Sequence, residues 1–191
     1  MFDITIRDNF LDNFDDFNLW LRQQEFKDVE EPTQKIIYPD LFLDIPESII
    51  TEVQGKLSRE VGHDIITPVA PPFCRLTSSS TSTAPHQTHN DSAMSDYTFL
   101  LYMQDGEGGT SILNHKEHDM SEGVTTQELV DVSIADANIY EAWDIVDMVE
   151  MKANRAVWYP SSYLHRAEPV QGFGEGSSDG RIAFIMFYNH V

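Results

Sequence analysis

The sequence has little cysteine and little positive charge, and both scarcities exclude classes of protein. Cys74 is the only cysteine among 191 residues, so no disulfide can form within the chain and no oxidising compartment is indicated. Twelve basic residues stand against 32 acidic ones, which gives a formal net charge of -20. A surface of that charge repels nucleic-acid phosphates and anionic lipid headgroups. We therefore expect no nucleic-acid partner and no membrane-surface role.

Long apolar runs are also missing. No run approaches the roughly 20 residues that a membrane-spanning helix needs. The first residues lack the basic segment and apolar core of a secretory signal, so we expect a soluble, cytoplasmic protein. The length and an apolar content of 41% suit one domain with a substantial core. We predict a single domain over 1–191, with an N-terminal helical support in 1–65 and a β-rich core in 66–191.

Two helices are predicted in the N-terminal third. Apolar residues recur at helical spacing over 8–22, with aspartates in the first turn. The segment 44–62 repeats the spacing, and Asp44 with Glu47 has the pattern of a capping box. Gly62 is expected to end this helix, since glycine adopts the left-handed conformation that often follows a helix.

After residue 65 the sequence pattern becomes typical of strands and loops. Short apolar segments, most of them apolar on both faces, are typical of buried strands. The strand candidates are 97–103, 110–113, 145–151, 155–160 and 181–188, preceded by a short one at 35–39. The polar stretch 114–144 interrupts them and is expected to hold a helix capped by Thr125 or Thr126. This layout predicts an α+β fold with helices on one side of a sheet core.

His89 and Asp91 form the most informative pattern. Residues two apart on an extended chain project to the same face, so both side chains can reach one metal ion. The third ligand must come from elsewhere, and His165 is favoured because it follows a strong strand and a proline-punctuated turn. Two histidines and a carboxylate match the facial triad of non-haem Fe(II) enzymes, and a zinc enzyme remains an alternative. The other histidines considered are His63, His86, His115, His118 and His190.

Two further side chains suit an anionic co-substrate. Arg181 begins the last predicted strand, where its guanidinium can bind a carboxylate through two parallel hydrogen bonds. Tyr102, in the strand after the His-Asp pair, can add a phenolic donor. A dicarboxylate held at one end in this way can chelate a metal with its other end.

Taken in order, these elements resemble the 2-oxoglutarate/Fe(II)-dependent dioxygenases, and within them the prolyl-4-hydroxylase-like branch. The resemblance covers about residues 70–191 and rests on His89-Asn90-Asp91 and four later segments. These segments are "FLLYM", "GEGGTSIL", "NRAVWYPSSYLHRAEPV" and "GRIAFIMFY". The family fold is a double-stranded β-helix, or jelly roll, flanked by helices. Gly108 and Gly109 match the family's turn into the next strand, where glycine permits a positive φ.

The resemblance also implies a function. His89, Asp91 and His165 would hold Fe(II), and Arg181 with Tyr102 would bind 2-oxoglutarate. The expected reaction is hydroxylation of a C–H bond by O2, with release of succinate and CO2. The branch suggests a peptidyl or small amino-acid-like substrate, whereas the acidic surface suggests a neutral or cationic one.

The chain departs from the family pattern in three places. The segment from His165 to Arg181 is long, and its glycine-rich part is interpreted as a hairpin loop over 172–180. Ala183 stands where some members have a serine, which gives Tyr102 more weight. The insertion 114–144 has no assigned role.

Other interpretations remain open. A cupin-like metal-binding protein that is not an oxygenase is the main alternative, and a fold that has lost its activity is another. His115 and His118 are interpreted as a solvated polar loop, His86 as a rim residue, and Arg166 as undecided between a substrate contact and an ion pair. Trp143 and Trp158 are expected in the core or pocket wall.

Overall fold

The computed structural model describes residues 2–30, 35–81, 87–120 and 123–191. His86, which was interpreted as a rim residue, lies outside these residues. The helices are α1 (Phe14–Leu21), α2 (Glu47–Val61) and α3 (Gln127–Ala135). The strands are β1 (Thr5–Arg7), β2 (Lys27–Glu30), β3 (Ile37–Phe42), β4 (Ile65–Ile66), β5 (Phe73–Thr77), β6 (Tyr97–Tyr102), β7 (Gly109–His115), β8 (Trp143–Glu150), β9 (Ala156–Pro160), β10 (His165–Glu168) and β11 (Arg181–His190). None of the helices in the described residues is long and apolar enough to cross a membrane.

The strands form two antiparallel sheets. The main sheet has the order β1-β9-β6-β11-β5-β3-β2, with β4 added to one end of β11. The second sheet has three strands in the order β10-β7-β8. The mostly antiparallel strands and three helices confirm the predicted α+β class.

The largest core lies between the main sheet and the first two helices. Helix α1 contributes Phe14, Phe17 and Leu21, which are all buried. Helix α2 contributes Val53 and Leu57, which have no exposed surface. These side chains pack on the sheet residues Cys74, Leu76, Phe99, Leu101, Trp158, Ile182, Phe184 and Met186. The helical spacing of apolar residues therefore predicted the buried faces of α1 and α2 correctly.

The opposite face of the main sheet meets the second sheet. Leu100, Tyr102 and Tyr159 of the main sheet form one buried cluster with Val149 of β8 and the adjoining Met151. A third cluster lies on the second sheet and includes Leu113, Trp143 and, from α3, Leu129 and Val132. Helix α3 thus packs on the second sheet, so the prediction that the helices lie on one side was wrong for this helix.

Several local predictions were wrong at element boundaries. Helix α1 begins at Phe14 instead of residue 8, because Asn9 has a positive φ of 54° and the next two backbone N–H groups, of Phe10 and Leu11, donate to Asn154. The predicted capping box does not form, since α2 begins after Pro46 and has no side-chain cap. Gly62 does end α2, with φ 74° in the left-handed region, and Thr126 caps α3 by accepting from Leu129 N.

Strand β8 and the loop before β11 differ most from their predictions. Only Trp143 and Val149 of β8 are buried, because β8 forms the edge of the smaller sheet. The glycine-rich loop 172–180 was interpreted as a hairpin. Instead it joins β10 in the second sheet to β11 in the main sheet, so it crosses between sheets and sets no hairpin register.

Gly108 and Gly109 have the positive φ angles that the sequence predicted, 91° and 149°. A Cβ at Gly108 would collide with the backbone carbonyl of Glu168 in the neighbouring strand β10.

We expect Gly108→Ala to lower the free energy of unfolding by about 2 kcal/mol or more, because a left-handed non-glycine residue alone costs ~1–2 kcal/mol. Thermal unfolding measures the effect. Gly176→Ala is the matched control, since Gly176 has open space around it; equal melting temperatures would contradict this assignment.

Candidate active site

The structure brings together the three predicted metal ligands. One potential ligand atom from each of His89, Asp91 and His165 lies within 4.8 Å of the others. Asp91 is central, with its Oδ1 3.7 Å from His89 Nε2 and its Oδ2 3.4 Å from His165 Nε2. Metal–ligand bonds are ~2.0–2.2 Å long, so these two separations allow one ion to contact both atoms of each pair.

Backbone pairing fixes this geometry. His89 and His165 form an isolated antiparallel bridge, with N–H···O distances of 3.1 and 2.8 Å. Asp91 N donates to Ser161 O at 2.8 Å. The predicted i, i+2 projection therefore arises from a short extended segment tied to the start of β10, and His165 is the first residue of a strand instead of a loop residue.

Hydrogen bonds orient each of the three side chains. Nδ1 of His89 lies 3.1 Å from Gln87 O, and Nδ1 of His165 lies 3.0 Å from Tyr163 O. If each Nδ1 carries the proton and donates to its carbonyl, each Nε2 presents a lone pair to the common centre. Thr98 Oγ1 donates to Asp91 Oδ2 at 3.1 Å, which holds the carboxylate in place.

The electrostatic environment favours the neutral form of His89. Desolvation lowers its pKa, and the neighbouring His165 ring, with its centroid 4.4 Å away, lowers the pKa further. A neutral imidazole is the form that binds a metal.

The two residues predicted to bind a co-substrate are buried. Arg181 is 6% exposed and Tyr102 is 2% exposed. Desolvation, with a smaller contribution from the nearby Arg75, lowers the pKa of Arg181 to about 10, so it remains a cation at neutral pH. Tyr102 donates from its hydroxyl to Thr110 Oγ1 at 2.7 Å, and burial raises its pKa to about 12.

Strand register shows that these groups share one face of the main sheet. Ala183 pairs with Tyr102 in β6, and cross-strand partners project to the same side. Arg181 lies two residues before Ala183 and therefore projects to that side too. Tyr102 reaches Thr110 of the second sheet from this face. Arg181 and Tyr102 thus face the space between the two sheets.

Two residues on this face were missed by sequence reasoning. Tyr159 is 1% exposed, its ring centroid is 5.3 Å from that of His165, and its buried hydroxyl has no hydrogen-bond partner among the described residues. Arg75 of β5 pairs with Ala183 and so lies on the same face as Tyr102. The only sequence signal for Arg75 was a charged residue inside an otherwise apolar strand, "FCRLT".

The remaining candidates have structural roles. His115 is buried and lies 3.0 Å from Asp136 through its Nε2, so its interpretation as a solvated loop residue was wrong. Arg166 is 1% exposed, pairs with Glu168 and stacks on Tyr140 at 4.0 Å, which settles the open choice in favour of an ion pair. Trp143 and Trp158 are buried as expected, with 4% and 6% exposure.

The fold is shared with solved structures of oxygenases. HygX from Streptomyces hygroscopicus, solved with nickel and 2-oxoglutarate, has 10% identity and a TM-score of 0.58, with 100% of this chain and 84% of that chain covered. The non-haem α-ketoglutarate-dependent epimerase SnoN from nogalamycin biosynthesis has 12% identity and a TM-score of 0.57, with 99% and 78% covered.

A prolyl-4-hydroxylase from Pseudomonas putida also matches. It has 11% identity and a TM-score of 0.51, with 100% of this chain and 94% of that chain covered. At these identities the likeness shows the fold alone, and it confirms at that level the resemblance to 2-oxoglutarate/Fe(II) oxygenases. No protein-family model and no curated protein sequence matches the chain.

Proposed function

We propose that this protein is an Fe(II)- and 2-oxoglutarate-dependent dioxygenase that hydroxylates a C–H bond of a small-molecule or peptidyl substrate. The observation that carries the proposal is the convergence of His89, Asp91 and His165 on one centre, within a fold shared with such enzymes. The buried Arg181, on the sheet face that looks toward the second sheet, supports a carboxylate-binding pocket. A cupin-like metal protein without a co-substrate would not need that buried arginine.

The donor set suits a ferrous ion. Two imidazoles and one carboxylate leave adjacent coordination positions open, as non-haem Fe(II) oxygenases require. The orphaned hydroxyl of Tyr159 beside this centre is a further sign that the site is built for a polar ligand. When bound, iron and 2-oxoglutarate would supply the oxidation of the substrate with O2, yielding succinate and CO2.

The residues of the chain bind and orient in this account. His89, Asp91 and His165 hold the metal, and Thr98 fixes the rotation of the Asp91 carboxylate. Arg181 binds the distal carboxylate of 2-oxoglutarate. The buried surroundings exclude water, which strengthens the ionic contact of this arginine.

Tyr102 assists Arg181 in this account. The hydroxyl of Tyr102 can donate to 2-oxoglutarate instead of Thr110, because Tyr102 and Arg181 lie at the same end of the main sheet.

The finer points of architecture and substrate belong to the same proposal. We interpret the two facing sheets as a double-stranded β-helix, and residues 1–191 as one domain. We also propose that the protein acts in the cytoplasm and has no nucleic-acid or membrane partner. Solved relatives in fold include HygX with hygromycin B and SnoN with nogalamycin RO, which supports a small-molecule substrate here. A peptidyl or amino-acid-like substrate remains within the proposal through the prolyl-4-hydroxylase match.

Succinate formation tests the proposed function. We expect purified protein with Fe(II), O2 and 2-oxoglutarate to form succinate, and one member of a panel of amino acids, peptides and glycosides to accelerate it. The matched control replaces Fe(II) with Zn(II), which fills the same ligands without redox chemistry and should stop the reaction. Succinate formed equally with Zn(II), or not formed with any panel member, would contradict the proposal.

A further inference from the structure

Arg75 is a half-buried cation without a described partner, on the face of the main sheet that meets the second sheet. Its Nε is buried and makes no hydrogen bond within the part of the chain that the structure describes. Among the described residues no carboxylate lies within ion-pair distance of its guanidinium, and Asp40 acts on it only as a more distant charge. Desolvation lowers the pKa of Arg75 but leaves it charged at neutral pH. A partly desolvated charge without a partner is unfavourable, so its position calls for a functional explanation.

The strand register places Arg75 in the proposed active site. Arg75 pairs with Ala183, which in turn pairs with Tyr102, so Arg75 and Tyr102 project to the same face of the main sheet. Arg181 pairs with Thr77, two residues beyond Arg75 on β5. The two arginines are close enough for Arg75 to lower the pKa of Arg181, and the charge of Arg75 also acts on His89.

The two arginines occupy different levels of this face. Asp91 is held at the level of Thr98, which pairs with Phe187 of β11. Arg75 pairs with Ala183 of β11, and Ala183 is two residues closer to Phe187 than Arg181 is. Two residues span about 7 Å along a strand. Measured along β11, Arg75 therefore lies between the predicted metal ligands and Arg181, the predicted co-substrate anchor.

Arg181 already has neighbours that fix it. Its Nη1 donates to Pro169 O at 2.7 Å, and the Glu168 carboxylate favours its charge. One dicarboxylate has one distal carboxylate, and Arg181 accounts for that group under the proposed function. The second cation on the same face is left for a second anion.

We infer that Arg75 binds an oxyanion group, a carboxylate or a phosphate, of the substrate to be oxidised. This inference rests on the proposed function for the identity of the reaction, but not for anion binding itself. A guanidinium binds either oxyanion through parallel hydrogen bonds. The acidic exterior, with its net charge of -20, suggested a neutral or cationic substrate. The half-buried Arg75 indicates instead that recognition depends on a negative group that is partly removed from solvent.

The direct test is calorimetric titration with acetate and, separately, with inorganic phosphate. It is carried out on the metal-free protein and on the protein loaded with Ni(II) and 2-oxoglutarate. We expect one of the two anions to bind the wild type, and Arg75→Gln to weaken it about tenfold or more, the effect of losing hydrogen bonds to a charged group. Arg75→Lys should restore part of the affinity. Arg59→Gln, on the exposed face of α2, is the matched control and should change nothing.

Two further measurements separate this role from its rivals. The affinity for 2-oxoglutarate should stay within about twofold in Arg75→Gln; a tenfold loss would make Arg75 part of the co-substrate anchor and overturn the inference. Arg75→Met should leave the melting temperature of the metal-free protein unchanged or higher, because it removes an unpaired charge. A lower melting temperature with unchanged anion binding would assign Arg75 a structural role.

Failure of the inference can be told apart from failure of the proposed function. Wild-type protein that binds neither anion, in either form, would overturn the inference even if it binds 2-oxoglutarate. Wild-type protein that binds an anion through Arg75, yet neither Fe(II) nor 2-oxoglutarate, would retain the anion site and overturn the proposed oxygenase.

Discussion

Exchange of Asp91 for alanine is expected to weaken Fe(II) binding by more than about 100-fold and to remove succinate formation. Asp91 contacts both histidines of the site, and it is the only anionic group of the three. Loss of residues that merely orient metal ligands already costs about 10–100-fold in affinity, so loss of a ligand should cost more. Anaerobic titration with Fe(II), followed by calorimetry or by competition with a chelator, measures the change.

Two control variants make this result specific. Asp96→Ala removes an exposed carboxylate five residues away and should leave Fe(II) affinity unchanged. His118→Ala removes a histidine outside the site and should do the same. The account would be contradicted by an Asp91→Ala protein that binds Fe(II) as the wild type does, or by a His118→Ala protein that loses its metal.

Replacement of Arg181 by glutamine is expected to weaken 2-oxoglutarate binding by about tenfold to 100-fold while Fe(II) affinity stays the same. The guanidinium is 6% exposed, so its ionic hydrogen bonds to a carboxylate would be shielded from water. Glutamine keeps a polar end but cannot supply the charge. Titration of the Fe(II)-loaded protein with 2-oxoglutarate under anaerobic conditions measures the effect.

Arg181 also holds the backbone at Pro169, so its variant needs a check of folding. The melting temperature of the metal-free Arg181→Gln protein reports any loss from the missing 2.7 Å hydrogen bond to Pro169 O. Tyr102→Phe removes only a hydroxyl already paired with Thr110, and we expect a smaller loss of 2-oxoglutarate affinity than for Arg181→Gln. An Arg181→Gln protein with wild-type 2-oxoglutarate affinity and melting temperature would show that the anchor is misassigned.

Much of the fold could be predicted from the sequence because its signals are local. The helical spacing over Phe14, Phe17 and Leu21 identifies the buried face of α1, and the apolar run at 97–103 identifies β6. Strand β1 could not be found in this way, since three half-exposed residues gain their pairing only from β9. The exposure of β8 likewise depends on its edge position, which its apolar sequence does not reveal.

The candidate site shows the same division between local and long-range information. The spacing of His89 and Asp91 predicted that both could reach one centre, and the position of His165 after a strand predicted the third member. Arg75 was missed because nothing near it in sequence relates it to Arg181. Only the pairing of β5 with β11 places the two arginines on one face.

The absorption spectrum of the anaerobic protein with Fe(II) and 2-oxoglutarate tests the central claim most directly. The account predicts a visible charge-transfer band that requires both additions, because 2-oxoglutarate must chelate an iron held by His89, Asp91 and His165. The band should be absent from Asp91→Ala at the same concentrations and should need more 2-oxoglutarate in Arg181→Gln. A wild-type protein that binds Fe(II) but shows no band at saturating 2-oxoglutarate would contradict the account.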